Sequence, residues 1–226
     1  MSWTTRVIGV ALLVSIICSG CGSDSKPSTA PGGNSAASSA SSSGGPPSTV
    51  LTPEEAQLKP QLLTAAELGV TFTDAQLGAP HDTDQPCGQH DPRSIIHPQA
   101  RVIVLLADYL EGQGVAENLS KFATIDDAQR VLRLVRDGVS CPQGTITNEN
   151  SASPVSLSDV QDVAAQLGAP EGFAVVLTLA DKSNVTTIAA RVDRSVVVFQ
   201  IGSKGQSGAL DPLQIATQGV AKLAKG

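Results

Sequence analysis

The chain has 226 residues, 21 acidic against 15 basic side chains, and a formal net charge of −6. Its Lys and Arg form no run, which argues against nucleic acid or an anionic lipid surface as a partner. Aromatic residues make up 3% of the chain, too few for the exposed stacking platforms that bases and sugar rings need.

The first residues bear on the compartment. Met1–Arg6 carries one positive charge, and Val7–Cys18, VIGVALLVSIIC, is an apolar run of twelve residues. A bilayer span takes about 20 residues, so this run suits the core of a secretory signal instead. Ser19-Gly20-Cys21 follows. It resembles the lipobox of bacterial lipoproteins, in which small residues precede a cysteine that is lipidated and becomes the mature N-terminus. Cys18 stands where that pattern usually has Leu, and is itself a poor lipidation site behind the bulky Ile16-Ile17. Residues 1–20 therefore read as a lipoprotein signal peptide. The resemblance implies a diacylglyceryl group on Cys21 and a location on the extracytoplasmic face of the cell membrane. The alternative is an ordinary cleaved signal.

Across Gly22–Val50, every residue except Asp24, Lys26 and Val50 is Gly, Ala, Ser, Thr, Pro or Asn. Such a tract buries too little apolar area to offset the entropy of ordering. It reads as a disordered tether over 21–50 with a mean span of about 30 Å. Residues 51–226 are then long enough for one domain with a real core.

Within that domain, PEEAQLKPQLLTAAELG predicts a short helix over Thr64–Gly69, and a loop-rich stretch runs on to Pro98. Arg101–Leu110 is β-rich, EGQG breaks the chain, and VAENLSKFA returns as the second arm of a hairpin. TIDDAQRVLRLVRDGVSC predicts a helix over 125–138, with Thr124 as cap, Asp126 and Asp127 at its positive end, and Gly138 at its close. Ala128, Val131, Leu132, Val135 and Val139 share one face of it. Arg130 and Arg133 lie away from that face, and read as solvated charges rather than an anion site. Residues 155–167 are ambiguous: Leu157, Val160, Ala164 and Leu167 keep helical spacing, while Val155, Leu157 and Asp159 suit a strand.

Phe173–Ala180 reads as a strand, and IAARVDRSVVVFQIG as a hairpin turning near Asp193-Arg194. The final segment is a helix with Asp211 as cap and Pro212 in its first turn. Leu213, Ala216, Val220 and Leu223 form its apolar stripe, and Lys222 and Lys225 favour its C-terminus. The predicted fold class is α+β, an antiparallel sheet built from hairpins with helices packed on it. Tyr109 and the four Phe of this domain are assigned to the core.

Besides Cys18 and Cys21 the chain holds Cys87 and Cys141. Outside the cytoplasm, two thiols predict one bridge. It would close a loop of about 55 residues, worth about 4 kcal/mol in chain entropy. Residues 81–97, HDTDQPCGQHDPRSIIH, gather His81, His90 and His97 with Asp82, Asp84 and Asp91. Zinc requires converging thiolate, imidazole or carboxylate ligands. An oxidised Cys87 supplies no thiolate, and these histidines have neither CxxC nor HExxH spacing beside them. They are weak copper or zinc candidates, in a loop punctuated by Pro80, Pro86, Pro92 and Pro98. Ser207 in GQSG lacks the full nucleophile elbow, and the chain has no P-loop or dinucleotide fingerprint. No catalytic residue and no cofactor is expected.

The order of elements resembles a known family. A lipoprotein signal, a low-complexity tether, a hairpin, a helix running into cysteine (FATIDDAQRVLRLVRDGVSC), then IAARVDRSVVVFQIG and a C-terminal helix make up the plan. It is similar to actinobacterial lipoproteins carrying the extracellular sensor domain of mycobacterial PknH-type Ser/Thr kinases, over about residues 60–226. The resemblance implies an antiparallel sheet flanked by helices, enclosing a cleft thought to bind an unidentified ligand. That kinase domain uses four cysteines in two bridges, where Cys87 and Cys141 supply one here, and this chain has no kinase domain or transmembrane helix beside it. No cleft residue is carried over, and no protein partner is named. The expectation is a sensor-like domain binding a small or cell-envelope ligand. The alternative is a lipid or solute carrier with an apolar pocket. Labelled fatty acid fed to the producing cells is expected to enter the protein and to be absent from a Cys21→Ala variant, read by gel fluorography; label retained in the variant overturns the assignment.

Overall fold

The computed structural model describes residues 51–69, 71–75, 84–148, 151–203 and 210–226. The signal and tether readings, with Cys21, lie outside the described residues, as do those of His81, Asp82 and Ser207.

The domain opens with α1 (Pro53–Leu58), a 3-10 turn (Lys59–Gln61) and α2 (Ala65–Leu68). Both helices start in capping boxes, Thr52 with Glu55 and Thr64 with Glu67, so their first free N–H groups are satisfied locally. Strands β1 (Thr73–Ala75), β2 (Ala100–Asp108), β3 (Gln113–Lys121), β4 (Gln143–Asn148) and β5 (Ser151–Leu157) follow. After them come β6 (Gln161–Asp162), β7 (Glu171–Thr178), β8 (Asn184–Val192) and β9 (Ser195–Ser203). All belong to one antiparallel sheet in the order β1-β2-β3-β9-β8-β7-β5-β4, with β6 on β7. Helix α3 (Ile125–Asp137) links β3 to β4, α4 (Ala164–Leu167) follows β6, and α5 (Pro212–Leu223) comes last.

Strand side chains alternate between faces, and the central strands are buried on both. On one face Val102, Leu106, Val115, Leu119, Ile188, Val197, Phe199 and Ile201 pack with residues of α1 and α5. On the other, Phe173, Val175, Ala189 and Val196 pack under Ala128, Val131, Leu132 and Val135 of α3. The α+β class is as the sequence predicts. The hairpin between β8 and β9 turns at Asp193, whose φ of 51° is left-handed, a conformation Asp tolerates better than most residues.

Several elements differ from expectation. Helix α1 was hidden because its apolar positions are few. Residues 155–167 are neither one helix nor one strand: β5 ends at Leu157, β6 pairs briefly with β7, and α4 is a single turn. The hairpin of β4 and β5 has no alternating apolar pattern to announce it, with Gly144, Pro154 and several Ser and Thr in its arms. Of the aromatic residues, Phe72, Phe122, Phe173 and Phe199 are buried. Tyr109 is not: it is 59% exposed at the tip of the β2–β3 hairpin beside Leu110, 79% exposed. There the Asp108 carboxylate accepts from the Leu110 and Glu111 N–H groups and closes the turn, leaving those two side chains outside. On α5, Ile215 is buried while Leu213 is only half-buried.

The N-terminal segment is fastened to the back of β3. Glu117 Oε2 accepts from the Leu63 N–H at 2.7 Å. Lys222 Nζ donates to Leu62 O at 2.6 Å and to Glu67 Oε2 at 2.9 Å. Glu117 is 1% exposed. Burial pushes its carboxyl up to about 7, against the Leu63 hydrogen bond and the Lys222 charge, with the Glu67 charge raising it further. A carboxyl whose folded pKa lies above its unfolded value keeps a proton that the unfolded chain has lost. Its contribution to stability therefore falls as pH rises from about 4.5 to 7, by on the order of 3 kcal/mol. Urea unfolding of Glu117→Gln is expected to lack this fall, so that the variant gains on the wild type between pH 5 and 8. Parallel profiles for the two proteins would contradict the shift.

Candidate functional site

Helix α3 is thirteen residues long and rests on β8 and β9, so it leaves the β2–β3 half of its sheet face uncovered. The chain then turns to Cys141, which is bonded to Cys87 with the two Cα atoms 5.8 Å apart. This bridge, predicted from the cysteine count, draws residues 84–93 across the open half of the sheet. The Cys87 N–H donates to Gly138 O at 3.1 Å, and the Thr145 N–H to Pro86 O at 2.8 Å. Two glycines make the approach possible. A Cβ on Gly138 would collide with Gln85 Oε1, and one on Gly144 with Pro86 O. Gly138 closes α3 in an ordinary right-handed conformation, so the space it leaves is what matters there, rather than its conformational freedom.

The loop then carries Asp91, 2% exposed, into the 3-10 turn Pro92–Ser94. Arg93 grips Asp91 with the Nε–Nη2 edge of its guanidinium, Nε donating to Oδ1 at 2.7 Å and Nη2 to Oδ2 at 2.6 Å. The Arg93 N–H adds a third bond to Oδ1 at 2.9 Å. Burial works to raise this carboxyl. The hydrogen bonds and charge of Arg93, with the charge of Arg101, outweigh it and hold the carboxyl below its usual range. The planar fork of Arg suits such a bidentate contact.

Between this loop, the end of α3 and β4 lies a cleft of about 130 Å³. Its floor is the uncovered sheet face. Ile103 stands opposite Asn118, and Asn118 opposite Val198. In the next row Ala116 stands opposite Gln200, and Gln200 opposite Thr187. Arg101 reaches this floor too, its Nε donating to Asn118 Oδ1 at 3.2 Å. This part of the face mixes apolar side chains, Ile103, Ala116 and Val198, with the polar Arg101, Asn118, Thr187 and Gln200. A second depression, of about 250 Å³, lies outside beside Gly144, Pro154 and Lys182.

The histidines fall away from this chemistry. His90 is exposed and its Nδ1 lies 2.8 Å from Asp84 Oδ1, and His97 is exposed. Among the described residues no group of three or more His, Cys, Asp or Glu gathers in a way that would hold a metal ion. Arg130 and Arg133 are exposed on the outer side of α3. The residues that line the cleft, Arg101, Asn118, Thr187 and Gln200, were not singled out from the sequence. Their one signal is a polar side chain at a strand position that alternation places on a covered face.

Among solved structures, the extracellular domain of PknH from Mycobacterium tuberculosis is similar, with a TM-score of 0.55 at 17% identity over 76% of this chain and 94% of that one. The likeness bears on the fold: this chain has a fold like that of the PknH extracellular domain. An uncharacterised protein from Mycobacterium smegmatis aligns with a TM-score of 0.33 at 9% identity, over 76% of this chain and 95% of that one, a score that carries no argument. No family model matches the chain, and no curated protein matches it.

Since Cys87 and Cys141 are 54 residues apart, opening the bridge frees a long loop in the unfolded chain. A Cys87→Ser, Cys141→Ser variant is expected to unfold at lower urea, with a loss of about 4 kcal/mol. Hydrogen exchange should also quicken across residues 84–93. Unchanged stability and exchange would show that the bridge does not hold the loop.

Proposed function

We propose that this chain is an extracytoplasmic lipoprotein, anchored to the membrane through Cys21 and a tether over 21–50, whose sensor-like domain binds a small ligand in the cleft. The observation that carries this reading is the floor of the cleft. Four strands present Arg101, Asn118, Gln200 and Thr187 on a face that α3 covers only in part. Convergent polar groups in a concave site with apolar neighbours are the usual make-up of a small-molecule site. The Cys87–Cys141 bridge favours an oxidising compartment. The neighbour of similar fold is described as an extracellular domain, which agrees with that placement. Among the described residues no helix is long and apolar enough to cross a membrane; attachment at Cys21 is the expectation carried by the Ser19-Gly20-Cys21 motif.

Size weighs against the carrier alternative. Sites for drug-sized molecules measure about 300–1,000 Å³, and the cleft holds about 130 Å³. A small polar ligand suits that space better than acyl chains do. Native mass spectrometry of the protein taken from its own membrane tests the reading. A small-molecule adduct that disappears in Ala116→Leu, where the longer side chain fills the floor, supports it. Acyl lipid travelling with the domain in stoichiometric amount, beyond the anchor itself, overturns it in favour of a carrier.

A further inference from the structure

The charged groups around the cleft are engaged within the protein, while the neutral ones on its floor keep hydrogen-bonding capacity. Arg93 spends one edge of its guanidinium on the buried Asp91. Asp84 is engaged by His90 at the exposed rim, and Arg101 Nε donates to Asn118 Oδ1 at 3.2 Å. Arginine has no acceptor, so the Asn118 oxygen has to face it, and the Asn118 Nδ2 group is left to donate elsewhere. Gln200 is half-buried and Thr187 is 5% exposed, and both line the cleft. Among the described residues their side chains make no hydrogen bond.

These groups follow a fixed order across the floor. Asn118 on β3 stands opposite Val198, which lies two residues before Gln200 on β9, and Gln200 stands opposite Thr187 on β8. From β3 to β8 the floor thus offers a donor at Asn118, a donor and an acceptor at Gln200, and an acceptor at the Thr187 hydroxyl. A carboxamide matches this set. Its oxygen has lone pairs for Asn118 Nδ2 and Gln200 Nε2, and its N–H groups suit Gln200 Oε1 and Thr187 Oγ1. A carboxylate or a ketone brings acceptors but no N–H, and so leaves Gln200 Oε1 unpaired when the ligand displaces water, which is costly in a buried site.

We infer that the cleft selects a compact uncharged ligand bearing a primary carboxamide, held by Asn118, Gln200 and Thr187, with a short branched apolar body against Ile103, Val198 and Ile146. This rests on the reading of the cleft as a ligand site. The volume of about 130 Å³ is close to the roughly 150 Å³ of a cavity that accepts benzene, a body of about six non-hydrogen atoms. A site built to hydrogen-bond a group rejects the analogue that lacks it more strongly than an apolar pocket rejects a missing methylene.

The test uses isobutyramide, methyl isopropyl ketone and isobutyrate as probes, titrated into the full chain and followed by amide NMR. All three carry an isopropyl group on a carbonyl carbon and differ only in whether that carbon bears an amino group, a methyl group or an anionic oxygen. Isobutyramide is expected to shift the signals of Asn118, Thr187 and Gln200 with a Kd about tenfold lower than either of the others. In Gln200→Met, which keeps the length of the side chain and removes its amide, the preference for amide over ketone should approach unity. The comparison of the three probes in the unaltered chain stands whether or not that variant folds. Equal binding of amide and ketone in the cleft, or tighter binding of isobutyrate there, overturns the carboxamide assignment and leaves the cleft as a ligand site. Shifts confined to other surfaces, or none, overturn the inference, while the mass-spectrometric comparison with Ala116→Leu decides separately on the cleft.

Discussion

Both faces of this sheet have to be covered, because its central strands are apolar on both sides, and the second cover is too short. The first face has α1, the turn after it and α5 to pack on it. The second has α3, whose thirteen residues extend about 20 Å and rest on β8 and β9. A face left apolar beyond the helix would be a sticky patch open to water. The sequence answers by placing Arg101, Asn118, Thr187 and Gln200 there, and by drawing a loop over them. The cleft is thus what remains when a long sheet is roofed partly by helix and partly by a disulfide-bonded loop.

Periodicity made α3, α5 and the two long hairpins legible, since each shows one apolar face repeated over several turns or residues. Counting cysteines was enough for the bridge, because two thiols allow a single pairing. The β4–β5 hairpin escaped notice: Gly144, Pro154 and the serines of its arms read as loop, and its order comes from pairing with neighbours rather than from its own composition. The cleft residues were hidden for a different reason. Alternation shows that Asn118 and Gln200 share a face with buried neighbours, but not that α3 stops before covering them. The contact of Gln85 with the end of α3, made possible by Gly138, joins positions far apart in the chain and leaves no local pattern.

Two buried carboxylates illustrate how partners decide charge in this protein. Asp91 meets a guanidinium fork and a backbone N–H, and stays ionised. Glu117 meets one backbone N–H, while the lysine near it is occupied with Leu62 O and Glu67, and it holds its proton to near neutrality. The two sit on opposite sides of the sheet. Glu117 grips the N-terminal segment from the back of β3, and its neighbours Ala116 and Asn118 face the cleft. Alternation along one strand therefore separates a structural acid from a binding surface by a single residue in each direction.

The Cys87–Cys141 bond also makes a closed ring of the chain between them, and that ring contains β2, β3 and α3. Leu110, the most exposed large apolar side chain among the described residues, sits on it at the hairpin tip beside the exposed Tyr109. A protease that cut there would open the ring without dividing the molecule, because sulfur still joins the halves and the ladder between β2 and β3 still pairs them. Removal of any piece of the ring would take a second cut. The site easiest to reach is thus one where a single nick releases nothing.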